Sequence, residues 1–182
     1  MDNLKTTLAS NLKALRNAYQ LPIFEAEWVC GVSRSAINTW ERGTRIPSAD
    51  GLFQIATSFC VSLDWLYGVT DTPYTEASVL AGEKIHKPSE LIETVLQHIR
   101  FLPKSQYEQL ANNYITNIHA YSLEARANIL VFILYLKGYY QYFGSHDGTV
   151  KLPLAQQSAR RDSAQRGLIT VLTTGFPATN PF

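Results

Sequence analysis

A chain of 182 residues with 46% hydrophobic and 17% charged side chains has the make-up of a folded protein, either one domain or a small domain with a second small unit. Its formal net charge is +1, and residues 1–70 carry six basic and six acidic side chains. That balance excludes attraction to polyanions by bulk charge, so any affinity for nucleic acid rests on where the charges lie. The longest unbroken apolar run, Ile129 to Leu136, is far short of the ~20 residues of a membrane span. The N-terminus lacks a basic segment followed by an apolar core. A cytoplasmic protein with no membrane partner is expected.

In chain order, Leu4, Leu8, Leu12 and Leu15 recur at helical spacing and predict a first helix from Leu4 to Tyr19. Pro22 suits the start of a second helix and Gly31 its end. Ser33 is a helix cap for a third helix reaching Trp40 or Glu41. Gly43 and Pro47 mark a loop. Ser48 caps a fourth helix with Leu52, Phe53, Ile55, Ala56 and Phe59 inward, and Ser62 caps a short fifth one, Leu63 to Tyr67, that Gly68 stops. Cys30 and Cys60 each sit among apolar neighbours and are expected as buried, reduced thiols.

Residues 71–88 break periodicity at Asp71-Thr72-Pro73, Ala81-Gly82 and Lys87-Pro88 and are predicted to be a linker. From 89 to 143 three helices are expected. The first buries Leu91, Ile92, Val95, Leu96 and Ile99; the second carries a stripe from Tyr107 to Tyr121; the third runs from a Ser122 cap to about Tyr142. This last helix is apolar on every face around Ile129–Leu136, so it must be buried on all sides. A unit of some fifty residues has little room for that, and the expectation is a homodimer interface through Ile129, Phe132, Ile133 and Leu136. The alternative is packing on the N-terminal domain. The tail, 144–182, shows little periodicity and is open to two readings, disorder or a strand at Leu168–Thr173, and Lys151, Arg160, Arg161 and Arg166 make it locally basic.

The informative stretch is Gly31 to Ser48. Gly31 makes the turn between two helices, Val32 and Ile37 face inward, and Ser33 caps the third helix and can reach a phosphate. Arg34, Ser35, Asn38 and Thr39 fall on the outer face near the helix N-terminus, the part that meets base edges when a helix enters the major groove. Arginine can make a bidentate contact to guanine and asparagine to adenine. Arg42, Thr44 and Arg45 follow in the loop, where cations and backbone amides grip phosphates, as Ser33 does from the other end. Trp40 is expected in the core, against the first helix.

The run Gly31 to Ser48, with Leu52-Phe53-Gln54-Ile55-Ala56 and Val61 to Gly68, resembles the Cro/CI-type (XRE-like) helix-turn-helix family over residues 8–70. The resemblance implies an all-α, five-helix lambda-repressor-like DNA-binding domain at 1–70. It implies a sequence-specific transcriptional repressor, as in temperate phages or mobile elements, reading duplex operator DNA with helix 33–41 as a homodimer. It also implies a salt bridge between Arg16 and Glu41. The chain departs from the family at the start of the second helix. Ile23 and Phe24 stand where a polar residue, often glutamine, touches a phosphate. The runner-up reading is an antitoxin-like regulator whose C-terminal helices hold a protein partner or antirepressor; a third is a regulator binding a small molecule among Tyr135, Tyr139, Tyr140, Tyr142 and Phe143.

Other motifs carry less. Val79-Leu80-Ala81-Gly82-Glu83 resembles the cleavage site of self-cleaving repressors, but no serine–lysine framework accompanies it. His86, His98, His119 and His146 are scattered and neither cysteine has a neighbour at metal-ligand spacing. No metal, cofactor or catalytic residue is expected, and the chain is read as a non-enzyme.

Overall fold

Three of the helix starts in the N-terminal half are set by a serine side chain that accepts a backbone N–H. The computed structural model describes residues 2–99, 101–144 and 154–176. Among the described residues the secondary structure is helical throughout, with no strand. Helix α1 spans Asp2–Ala18, α2 Ile23–Cys30, α3 Arg34–Glu41, α4 Ala49–Phe59 and α5 Leu63–Leu66. Ser33 Oγ accepts from the Ala36 N–H, Ser48 Oγ from Gly51 at 3.2 Å and Ser62 Oγ from Trp65 at 3.1 Å. These are the three caps expected from sequence, each satisfying an N–H the helix itself leaves unpaired. The core of this half is Leu8, Leu12, Leu15, Val29, Val32, Ile37, Leu52, Ile55, Phe59 and Leu66.

The segment 71–88 is not a plain linker: it contains α6, Glu76–His86. Thr75 and Ser78 form a reciprocal capping box. Val79 and Gly82 are the helix's buried residues, Gly82 lying against Thr57 and Cys60. A buried face of two residues, one of them glycine, leaves no hydrophobic stripe to read. The Ala81-Gly82 bond therefore lies inside a helix packed on α4 rather than in an open strand of chain.

Helix α7 spans Pro88–Leu96, α8 Lys104–Asn117, α9 Leu123–Gly144 and α10 Leu154–Thr174, with a single 3-10 turn at Ile118–Ala120. Ser122 caps α9 through the Ala125 N–H at 3.2 Å. Helix α10 corrects the reading of Leu168–Thr173 as a strand and of the tail as disordered. Its sequence is rich in β-branched residues, but Ala164, Leu168, Val171 and Leu172 recur on one helical face and are buried on α8 and α9. Tertiary packing overrides local propensity there. Residues 145–153 and 177–182, with Lys151 and His146, and the side chain of Arg160 lie outside the described residues.

Helix α9 is the centre of the molecule. It packs against α2, α4, α6, α7 and α10 of its own chain. Ile129 is 1% exposed and Phe132, Ile133 and Leu136 are each 0% exposed within the single chain. This corrects the expected dimer interface: these four side chains already have partners on every side and cannot meet a second copy while α9 is seated. The surface that completes their burial is the N-terminal domain itself. The contact with α2 is tight at Gly138, where a Cβ would lie 2.3 Å from Trp28 Cβ and 3.1 Å from Trp28 Cα.

Polar groups pin the same junction. The Tyr19 hydroxyl donates to Asn128 Oδ1 at 2.7 Å and lies 3.1 Å from the Tyr74 hydroxyl. The nearly buried Arg126 guanidinium grips both carboxylate oxygens of Glu83, tying α9 to α6. Ser78 donates to the Cys60 carbonyl at 2.8 Å. Both cysteines are buried and unlinked. Burial pushes the Cys30 thiol up to about 11 and the Cys60 thiol up to about 12.

Two expectations follow from this packing. Gly138→Ala should lower stability by about 1–3 kcal/mol, because overpacking against Trp28 outweighs the gain of roughly 1 kcal/mol in helix propensity; urea unfolding that shows the variant as stable as the parent would reject the tight crossing. Stability should also fall at alkaline pH. The unfolded thiols release their protons near pH 8.5 to 9, while the folded thiols keep theirs up to about 11 and 12. The unfolded state thus binds fewer protons in that window. The thiols' contribution should be constant below about pH 8.5, and stability should decline as pH rises from about 9 toward 11–12. An unfolding midpoint unchanged between pH 8 and 10.5 would contradict it.

Candidate nucleic-acid interface

The turn between α2 and α3 is built from three residues. Gly31 has φ +66°, a left-handed conformation costly for any residue with a Cβ, and its N–H returns to the Glu27 carbonyl at 2.9 Å. Val32 is buried and Ser33 is the cap. Helix α3 is then held by Ile37, which is buried, and by Trp40, whose ring lies against Gly51 at the start of α4. Trp40 is thus a packing residue, and its ring also reaches the start of α4.

With Ile37 and Trp40 inward, Arg34, Ser35 and Asn38 are exposed on one stretch of α3, beside the exposed Ser33. The structure brings these together as the sequence suggested. Thr39 is different: it is half-buried and its hydroxyl donates to the Ala36 carbonyl at 2.8 Å. Arg42 and Arg45 are exposed at the far end and, among the described residues, form no ion pair. Thr44 is turned back on the helix. Its hydroxyl donates to the Thr39 carbonyl at 2.8 Å, and the N–H groups of Thr44 and Arg45 point to the same carbonyl. In this conformation the loop offers phosphates its arginine side chains rather than the amides expected at Thr44 and Arg45.

Arg16 and Glu41 form the expected salt bridge. Arg16 donates through Nε and Nη2 to the two carboxylate oxygens at 2.7 and 2.9 Å, and through Nη1 to the Leu21 carbonyl at 2.7 Å. The guanidinium and carboxylate are 17% and 7% exposed. This bidentate pair fastens the end of α3 to α1 and to the α1–α2 turn. The hydrogen bonds that Arg16 donates to Glu41 further raise the already high pKa of the guanidinium.

The unusual start of α2 has a structural explanation. Trp28 sits among Phe24, Tyr135, Tyr139, Tyr142 and Phe143, with ring centroids 5.2–6.0 Å away. Trp28 therefore docks on the end of α9, and Phe24, where a phosphate-touching residue would stand, packs edge-on against it. The aromatic cluster fills the junction between the two halves.

One polar residue of the head was not legible beforehand. Glu27, on the next position of α2, accepts from Arg34 Nε at 2.7 Å. Seven residues separate the pair across a turn, so no helical spacing announces it. The available signal was electrostatic: a carboxylate on a face meant for phosphates needs a cation beside it.

The two ion pairs of the head should differ in cost. Glu41→Ala leaves a partly buried arginine without its carboxylate and should destabilise the fold by about 2–3 kcal/mol. Glu27→Ala opens an exposed pair and should cost less than about 1 kcal/mol. Denaturant titrations of both variants check this; equal losses would refute the assignment of Arg16–Glu41 as the structural bridge.

Comparison with known proteins agrees with this geometry. The helix-turn-helix family model matches residues 12–66, which run from α1 to the end of α5 and include both ends of the Arg16–Glu41 bridge. No curated protein and no solved structure matches the chain. Among the described residues no helix is long and apolar enough to cross a membrane, and no cluster of His, Cys, Asp and Glu could hold a metal ion. The helix-turn-helix match covers residues 12–66 and is consistent with a domain of the Cro/CI (XRE) type, the DNA-binding part of transcription regulators of that type.

Proposed function

We propose that the protein is a sequence-specific repressor that lays α3 in the major groove of duplex DNA. The observation that carries this reading is the division of α3: Ile37 and Trp40 anchor one side, while Arg34, Ser35 and Asn38 stand exposed beside a capped N-terminus. Arg34 reads guanine, Asn38 reads adenine and Ser35 makes an adaptable contact. Thr39 contributes packing and its methyl group rather than its hydroxyl, which is engaged within the helix. Arg42 and Arg45 lie on the phosphates beyond the helix end, with Ser33 at its start. Affinity comes from these few placed cations, because the domain as a whole is electrically balanced.

We propose a homodimer on paired half-sites, as the resemblance implies, assembled through a surface other than the buried face of α9. The regulator occupies its site and blocks access to it, with the C-terminal helices bracing α2 from behind.

Selection of random duplexes by the purified full-length protein, at two salt concentrations, tests the reading. A palindromic site should be enriched, with affinity falling as salt rises; a single enriched half-site would instead indicate a monomer. Arg34→Ala should cost about 1–3 kcal/mol and relax preference at one base pair. Arg45→Ala should weaken binding to all sequences alike and lower the salt slope by about one. Equal losses on selected and random DNA for both variants would refute the division of roles.

A further inference from the structure

We infer that Glu27 is a positioning residue that aims Arg34 at a single guanine and withholds it from phosphates. This rests on the reading of α3 as the base-reading helix. Arg34 is the first residue of α3, and its side chain is 56% exposed. An unrestrained arginine there would sample many rotamers and would meet the nearest phosphate as readily as a base. Glu27 removes that freedom in the unbound protein. One carboxylate oxygen accepts from Nε at 2.7 Å, and neither terminal nitrogen of Arg34 takes part in that bond. Nη1 and Nη2 keep the donors that a bidentate contact to guanine O6 and N7 requires.

The helix that carries Glu27 is firmly seated. Its neighbours on α2, Ala26, Val29 and Cys30, are buried, and Trp28 is clamped by the aromatic side chains of α9. Glu27 thus reaches Arg34 from a helix that the C-terminal half braces. Preorganisation of this kind lowers the ordering cost of binding. Charge adds discrimination. The Glu27–Arg34 pair is neutral as a unit, so it gives up attraction to phosphate while retaining the hydrogen-bond pattern that reads a base.

The selected duplex tests this, together with random DNA and a copy of the site carrying 7-deazaguanine, which lacks the N7 acceptor. For Glu27→Ala, affinity for the selected site should fall about tenfold as preorganisation is lost. Affinity for random DNA should hold or rise by about twofold to fivefold, with a salt slope steeper by about one, as Arg34 is released to phosphates. The parent should lose affinity on 7-deazaguanine, and Glu27→Ala should be nearly indifferent to it. Glu27→Gln keeps an acceptor for Nε without the charge and should restore part of the guanine preference. A thermal melt confirms that each variant is folded.

Undiminished guanine preference in Glu27→Ala, with the preference lost in Arg34→Ala, would overturn the role of Glu27 and leave the reading helix standing. Uniformly tighter binding by Glu27→Ala, with the same site selected, would also overturn it and reduce Glu27 to a repulsive surface charge. Failure of the parent to select any sequence would overturn the reading of α3 and this inference with it.

Discussion

The burial of α9 is the constraint on which the rest of the molecule depends. A helix apolar on every face has no solvent side to offer, so each neighbouring element is arranged to cover part of it. Helices α7 and α10 surround it incompletely, and α2, α4 and α6 complete the shell. The helix-turn-helix domain and the C-terminal helices thus share one hydrophobic core, and Phe59, Leu66, Val79, Ile133 and Leu168 belong to the same cluster. The economy is physical: a five-helix domain and a few extra helices are each small, and joining their cores buries a larger fraction of both surfaces.

This arrangement changes what α2 does. In the simplest version of such a domain, the first helix of the pair has one face for its own bundle and an end for the DNA backbone. Here it also carries Trp28 into an aromatic cluster on α9 and meets Gly138 at close quarters. Phe24, at its start, packs against Trp28 in that cluster. The same helix holds Glu27 against Arg34. Packing at the back of α2 and hydrogen bonding at its front thus meet on one helix, which joins α9 to the first residue of α3.

Electrostatics follow the same logic of placement. Of the six basic residues in the first seventy, Arg16 is committed to Glu41 and Arg34 to Glu27. Arg42 and Arg45 stand exposed at the end of α3. The head thus separates a cation that fixes the fold, a cation paired on the exposed face of α3, and cations left exposed at the helix end. Bulk charge carries none of this information, since it sums the three kinds to nearly nothing.

Local chemistry made the N-terminal half legible. The serine caps at 33, 48 and 62, the left-handed turn at Gly31 and the apolar spacing of α1 and α4 act within a few residues, so their consequences are written in short stretches of sequence. The Arg16–Glu41 bridge was legible only through the family resemblance. What sequence alone could not decide were the matters settled by partners distant along the chain. Helix α6 presents too narrow a buried face to show a period, and α10 is helical despite its β-branched residues because α8 and α9 cover one side of it. The need to bury α9 was evident from its composition, but composition names no partner. A second copy and the chain's own N-terminal domain satisfy an apolar surface equally well, since the hydrophobic effect has no direction. Only the tertiary structure chose between them, through the close crossing of Gly138 on Trp28 and the polar ties from Tyr19 to Asn128 and from Glu83 to Arg126, whose geometry is specific where burial is not.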